Sequence, residues 1–278
     1  MANSTKKISE LVEEVARHDL ALPEMQRRYV WKSTQVRDLF DSLYRGYPVG
    51  SILEWERPSG EDGRDFDVGE SAGHYRAGQR RLLLDGQQRL TSLTAIIKDQ
   101  ELLVRGRKKS LDILFNVLHP EVDDEEQLDI PEDEAEDGDS PDAEDEGEND
   151  SLDFGRKTFV VSTKKLLNQP NWLSLRSIFK EQQIITLWLS VVKGLGLEAN
   201  SIEAQKIATR ISKVQQIKEI QIPVVTLGCH MDYRTVTDVF CRVNSAGARL
   251  RGSDLALAQI TSRWPGSLKK FEEFTTIP

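Results

Sequence analysis

The sequence predicts an α+β fold, a small mixed sheet with packed helices followed by a mainly helical second half. Three observations predict it. Leu82-Leu83-Leu84 reads as a buried strand that passes through an Asp85-Gly86 turn into a helix with Leu90, Leu93, Ile96 and Ile97 on one face. Strand-like runs recur at 51–56, 111–118 and 157–162. From about residue 165 the apolar spacing turns helical, with candidates at 172–192 and 200–219.

The remaining elements follow in chain order. Ile8, Leu11, Val12 and Val15 give a short amphipathic helix over 6–18. Pro23 forces an extended or turn conformation on the residue before it. Gln26, Arg27, Arg28 and Trp31 then crowd amide, guanidinium and aromatic groups together, a mixture suited to phosphate or base contact. The other reading is a surface loop with Tyr29 and Trp31 as packing anchors, and a large aromatic such as Trp31 reads first as packing. Residues 33–46 form a helix with Val36, Leu39, Phe40 and Leu43 inward, Ser33 or Thr34 as N-cap and Gly46 as terminator. Residues 47–50 are a turn, and 57–79 a loop rich in Gly, Asp, Glu and Arg. Residues 221–227 are a short strand that Pro223 places at an edge or at a strand start. A helix over 232–244 faces Val236, Val239, Phe240 and Val243 inward, and another runs from 253 to Trp264. Helical character persists almost to Pro278, which reads as a point where more protein would follow. The expected division is a core over 1–118, an acidic insertion over 119–153 and a helical half over 154–278, truncated at its C-terminal end.

Composition narrows the function classes. No run approaches 18 apolar residues, so no transmembrane helix is expected. The first residues lack an apolar signal-peptide core. Cys229 and Cys241 are too few for a disulfide framework and are not spaced as metal ligands, and the four histidines are scattered. These features point to the reducing cytoplasm and to no intrinsic zinc site. The net charge of −9 hides a division. Residues 121–150 hold 18 acidic residues and no Lys or Arg, and the rest carries 37 basic against 28 acidic, a net of +9. A basic body suits a polyanionic partner, nucleotide or nucleic acid, although cations spread over a solvated surface give the same count. The acidic segment cannot bury enough apolar surface to offset its ordering entropy, so it reads as a disordered, self-repelling insertion. A nucleic-acid mimic over a basic groove is the sharper alternative.

The candidate chemistry sits at Asp85-Gly86-Gln87-Gln88-Arg89. The first turn of a helix leaves backbone N–H groups unpaired at the positive end of the macrodipole, where phosphate binds. Gly86 would let a ligand approach the backbone, Arg89 adds a fixed charge with a planar fork of donors, and the two glutamine amides can donate to phosphate or ribose oxygens. An ordinary strand–helix junction capped by Asp85 is the alternative.

Several motifs together resemble a known family. They are Leu22-Pro23-x-x-Gln26-Arg27, Tyr29-x-Trp31, Tyr47-Pro48-Val49-Gly50, Leu84-Asp85-Gly86-Gln87-Gln88-Arg89-Leu90-Thr91 and Phe240-x-Arg242-x-Asn244-x-x-Gly247-x-x-Leu250. The chain is similar to the N-terminal domain of GmrSD-type modification-dependent restriction systems, in the ParB/sulfiredoxin-like superfamily. Residues 20–98 and 220–262 carry the likeness, and 99–219 carry little of it. The resemblance implies binding and hydrolysis of a nucleoside triphosphate, GTP or ATP, with Mg²⁺, coupled to phage defence. It implies phosphate-holding by Asp85 through Arg89, with Asp85, Gln88 and Arg89 in catalysis. Gln26, Arg27, Gly86, Gln87 and Thr91 would bind the nucleotide, and Arg242 and Asn244 would close the site from the helical half. Asn244 also reads as a left-handed C-cap. Asp85 and then Asp254 are the carboxylates available to Mg²⁺. Implied partners are DNA, modified or not, and a nuclease domain or subunit, since no His-Asn-His motif lies in these residues. The competing classes are a ParB-like DNA-binding or nuclease module without NTPase activity and an inert partner-binding domain.

Overall fold

A computed structural model describes residues 2–23, 29–56, 63–64, 81–104, 107, 109–120, 157–181 and 184–246. The expectations for the acidic insertion, for the 57–79 loop beyond residues 63–64 and for the helix from 253 lie outside the described residues. The chain folds as two compact units. One holds residues 1–31, 42–102 and 216–278, and the other holds 32–41 and 103–215.

The first unit is built on a mixed sheet of six strands. They are β1 (Ala2–Lys7), β2 (Leu20–Pro23), β3 (Ile52–Glu56), β4 (Gly63–Arg64), β5 (Arg81–Asp85) and β9 (Gln221–Leu227), in the order β1-β9-β3-β5-β2-β4. Leu82, Leu83 and Leu84 are all fully buried, as the triple leucine predicts for a strand covered on both faces. The sequence does not announce β1, because its Ala-Asn-Ser-Thr-Lys-Lys run has no apolar alternation and is mostly exposed. It pairs antiparallel with β9 from Ala2↔Thr226 to Lys7↔Gln221. β9 therefore lies between β1 and β3, not at an edge. Its ladder to β3 starts at Val224, one residue after Pro223, so on that side the proline stands at the strand start and its missing N–H breaks no bond of that ladder.

Helices cover both faces. α8 (Tyr233–Ala246) lays Val236 and Phe240 on Ala21, Leu53, Trp55, Leu82, Leu84 and Leu227. α1 (Ile8–Ala16) buries Ile8, Leu11, Val12 and Val15 and contacts α3 (Gln87–Ile97). Glu14 of α1 reaches a polar cluster centred on Glu54, whose residue is 2% exposed. Lys6 Nζ donates to Glu54 at 3.2 Å and to Glu14 at 3.1 Å. Arg81 Nη1 donates to Glu54 at 3.2 Å, Arg81 Nη2 meets Glu14 at 2.9 Å, and Thr226 Oγ1 donates to Glu54 at 3.0 Å. Two acids face two bases, so the buried charges cancel and each has partners. Burial works against the Arg81 charge, but Glu14 and Glu54 outweigh it and hold the pKa raised. Five elements (β1, α1, β3, β5 and β9) meet in this cluster.

The second unit centres on a three-stranded antiparallel sheet in the order β7-β6-β8, with β6 at Ile113–Asn116, β7 at Phe159–Val161 and β8 at Trp172–Ser174. Phe115 and Phe159 pack across β6 and β7 with tilted rings, their centroids 5.2 Å apart. The helix expected over 172–192 is divided into β8, α5 (Leu175–Lys180) and α6 (Ile184–Gly194). Between β7 and β8 lies α4 (Lys164–Leu167), capped by the Thr163 side chain. α7 (Ile202–Gln216) follows α6, held by Trp188 Nε1 donating to the Ala204 carbonyl at 2.7 Å. α2 (Ser33–Arg45) is shared between the units. It starts beyond Lys32, whose N–H donates to Gln35 Oε1 at 2.9 Å, rather than from a Ser33 or Thr34 cap. It ends at Gly46, with Gly46 N–H on Leu43 O at 3.1 Å and Tyr47 N–H on Ser42 O at 2.8 Å, the C-cap pattern that a left-handed glycine permits. Among the described residues no helix is long and apolar enough to cross a membrane.

The Glu54 cluster makes a testable demand. Glu54→Ala leaves Lys6 and Arg81 facing each other with half their counter-charge gone. Urea denaturation is expected to show a loss of about 3–5 kcal/mol, the cost of breaking a buried pair from one side. A loss below about 1 kcal/mol would show the cluster to be as weak as an exposed ion pair.

Candidate functional site

Strand direction brings three segments to one edge of the sheet. β2 and β5 are parallel neighbours, Leu20 opposite Arg81 and Ala21 opposite Leu82, so both end on the same side. β3 runs against β5 with Leu53 opposite Asp85, so the 47–51 loop before β3 starts from that side too. Ligands in open α/β sheets bind beyond the carboxyl ends of strands, where neighbouring connections diverge.

β5 ends at Asp85, Gly86 takes a φ of +94°, and α3 begins at Gln87. Gly86 is the N-cap, and among the described residues no side chain caps the helix. This corrects the reading of Asp85 as a cap. The Asp85 carboxylate turns instead to Arg89, one helical turn on, accepting from Nη2 at 3.1 Å. The same guanidinium donates through Nη1 to the Val49 carbonyl and through Nη2 to the Ser51 carbonyl at 2.9 Å. Arg89 thus ties the 49–51 loop to the strand–helix turn with a fork that lysine lacks. Burial pushes its pKa down and Asp85 opposes the shift, and a guanidinium stays charged throughout. Two glycines make room for it. A Cβ at Gly50 would stand 2.6 Å from Arg89 Nη1, and one at Gly86 would stand 2.4 Å from Ile52 Cδ1. Both also have left-handed backbone, which L side chains rarely adopt.

The two glutamines are placed differently. Gln88 Oε1 accepts from Val30 N–H at 2.8 Å and Trp31 N–H at 3.2 Å. Tyr29 joins the same helix: its hydroxyl lies 2.8 Å from Ser92 Oγ, which donates to the Gln88 carbonyl at 2.7 Å. Burial pushes the Tyr29 phenol well up, with the Ser92 bond acting the other way. Gln87, only 6% exposed, has a buried Nε2 with no partner among the protein's described groups. Thr91, four residues on and on the same helix face, is fully buried with an equally unpartnered Oγ1. A buried donor without a partner is costly, and such a group calls for a specific reason.

The structure therefore gathers Asp85, Gly86, Gln87, Gln88, Arg89 and Thr91 at one turn. Arg242 is exposed on α8, which covers the Leu82 and Leu84 face, away from any hydrogen bond to the turn among the described residues. Asn244 is helical, two residues before the end of α8, which corrects its reading as a left-handed C-cap. Gln26, Arg27 and Asp254 lie outside the described residues. Among the described residues no group of three His, Cys, Asp or Glu side chains is placed to hold a metal ion. Sequence reasoning missed the Val49 and Ser51 carbonyls and the Tyr29–Ser92 pair. Backbone acceptors leave no residue signature, and Gly50 is the one visible sign of the close approach.

Residues 8–261 match the family model described as the GmrSD restriction endonuclease N-terminal domain. The chain belongs to this family. The match thus spans both units. The chain is also similar to the uncharacterized protein MJ0686 of Methanocaldococcus jannaschii, at 24% identity over 276 residues. That match covers 93% of this chain and 42% of the relative, so the chain spans less than half of that protein's length.

The turn sets two expectations for stability. Gly86→Ala is expected to cost about 2–4 kcal/mol, combining left-handed strain with overpacking on Ile52. Arg89→Ala is expected to cost about 2–3 kcal/mol, because two carbonyls and Asp85 lose a charged donor. Urea midpoints read both, and a Gly86→Ala protein as stable as the parent would contradict this geometry.

Proposed function

We propose that the GmrSD domain binds a nucleoside triphosphate at the first turn of α3 and hydrolyses it in the course of restriction-type defence. The observation that carries the reading is a helix N-terminus without a side-chain cap among the described residues, next to the buried Gln87 Nε2, which has no partner among them. Backbone N–H groups and the helix dipole favour a phosphate there, and Gln87 Nε2 supplies a further donor. Gly86 supplies the left-handed backbone that turns the strand into the helix start and leaves room for Ile52 beside Arg89. Arg89 shapes the 49–51 side of the site and contributes its charge. Asp85, with a partly exposed side chain, fits one ligand position of a Mg²⁺ ion that also holds phosphate oxygens, the usual mode for this ion. Bound there, the ion would neutralise developing charge on the phosphates. Gln26 and Arg27 flank the phosphates in this reading, and Arg242 and Asn244 close the site from α8. The protein acts in the cytoplasm, with a nuclease domain or subunit and DNA as partners.

A second reading is favoured by the net charge of +9 outside residues 121–150: duplex DNA binding by the basic body. It predicts an affinity that falls steeply with salt, without need of nucleotide.

A thermal-shift screen with GTP, ATP, CTP and UTP, with and without Mg²⁺, tests the first reading. A ligand at a hundredfold its dissociation constant adds about 2.7 kcal/mol, several degrees for a chain of this size. Gln87→Met is the informative partner variant. It removes a buried Nε2 donor that has no partner among the described residues, at nearly constant volume, so the protein without nucleotide is expected to be as stable or more stable. The nucleotide shift is expected to vanish. A full shift in Gln87→Met would sink the assignment of the site.

A further inference from the structure

Two glutamines stand side by side at the start of α3, and their surroundings give them different work. A carbonyl oxygen has two acceptor sites. On Gln88 both are taken, by the consecutive N–H groups of Val30 and Trp31 at 2.8 and 3.2 Å. An oxygen so occupied has no site left to accept a proton from an attacking water. We infer that Gln88 is a positioning residue: its side-chain carbonyl fixes residues 29–31 as a wall along the first turns of α3, and Gln87 is the glutamine that meets the ligand. The inference rests on the nucleotide reading for what the wall is for.

A second contact holds the same wall from one turn further along the helix. Ser92 Oγ gives its hydrogen to the Gln88 main-chain carbonyl, so the Tyr29 hydroxyl is the donor in the Tyr29–Ser92 bond. Two side chains of α3, four residues apart, therefore grip three consecutive residues of the segment. The grip matters because the wall borders a helix N-terminus that no side chain caps among the described residues. A wall fixed before the ligand arrives spares the ordering cost that a loose one would add to binding. Gln87 differs on each count. It is buried, its Nε2 has no partner among the described residues, and no hydrogen bond of that amide holds a neighbouring segment.

Hydrogen–deuterium exchange in the nucleotide-free protein, read by NMR at the Val30 and Trp31 amides, tests the grip directly. Gln88→Ala is expected to speed exchange at both amides about three- to tenfold, the worth of one neutral hydrogen bond. Gln88→Glu keeps an acceptor oxygen and is expected to keep the protection. Tyr29→Phe, which alters the far end of the grip, is expected to speed the same amides. Unchanged exchange in both Gln88→Ala and Tyr29→Phe would overturn the inference. Nucleotide affinity is the second readout. Each single variant is expected to weaken binding, and the double variant no more than the weaker-binding single, because both act through one wall. Strictly additive losses would mean that Gln88 touches the ligand itself. Should the parent protein bind no nucleotide, the proposed function fails while the exchange result still decides whether Gln88 holds the wall.

Discussion

One guanidinium organises the site end of this protein. Arg89 receives Asp85 from the end of its own strand and holds the carbonyls of Val49 and Ser51 from the loop before the neighbouring strand. The arrangement requires a side chain with several donors in a rigid plane, and a backbone that comes close enough to meet it. Gly50 and Gly86 supply the second condition, since a Cβ at Gly50 would strike Arg89 and one at Gly86 would strike Ile52. The Asp-Gly-Gln-Gln-Arg run thus serves first as a construction device. Two of its side chains draw in other segments, Arg89 from 49–51 and Gln88 from 29–31.

That construction is held on a sheet with its own internal constraint. Glu54 sits in the middle of a buried face and would be intolerable without the charges of Lys6 and Arg81, which it shares with Glu14, and the Thr226 hydroxyl. These partners come from the N-terminal strand, the first helix and a strand contributed by residues beyond 220. The chain must therefore bring distant pieces together before the central charge is compensated. A network of this kind rewards one arrangement of strands and penalises any register that leaves an ion unpaired.

Much of the local structure was legible in the residues. Leu82-Leu83-Leu84 followed by Asp-Gly and helical spacing announced the strand, turn and helix that hold the site, and β9 and α8 were found close to their expected bounds. Membership of the GmrSD family was legible as well, through motifs spread over both ends of the chain. Less legible was β1, a polar edge strand without alternation. The division of 172–192 into a strand and two helices was hidden too, because a short apolar run fits either period.

The sequence by itself determined the site's donors: a glycine turn, two amides, a guanidinium and a helix start, fixed by local chain geometry and residue type. Tertiary structure alone decided which of them keep hydrogen-bonding capacity unused among the described residues. Hydrogen-bond capacity is finite, and partners from residues 29–31 and 49–51 occupy Gln88 and Arg89 while Gln87 Nε2 has no partner among the described residues. No pattern along the chain encodes those backbone partners, because every residue carries a carbonyl and nearly every one an N–H. Only the pairing of β2, β3 and β5 brings these particular ones within reach.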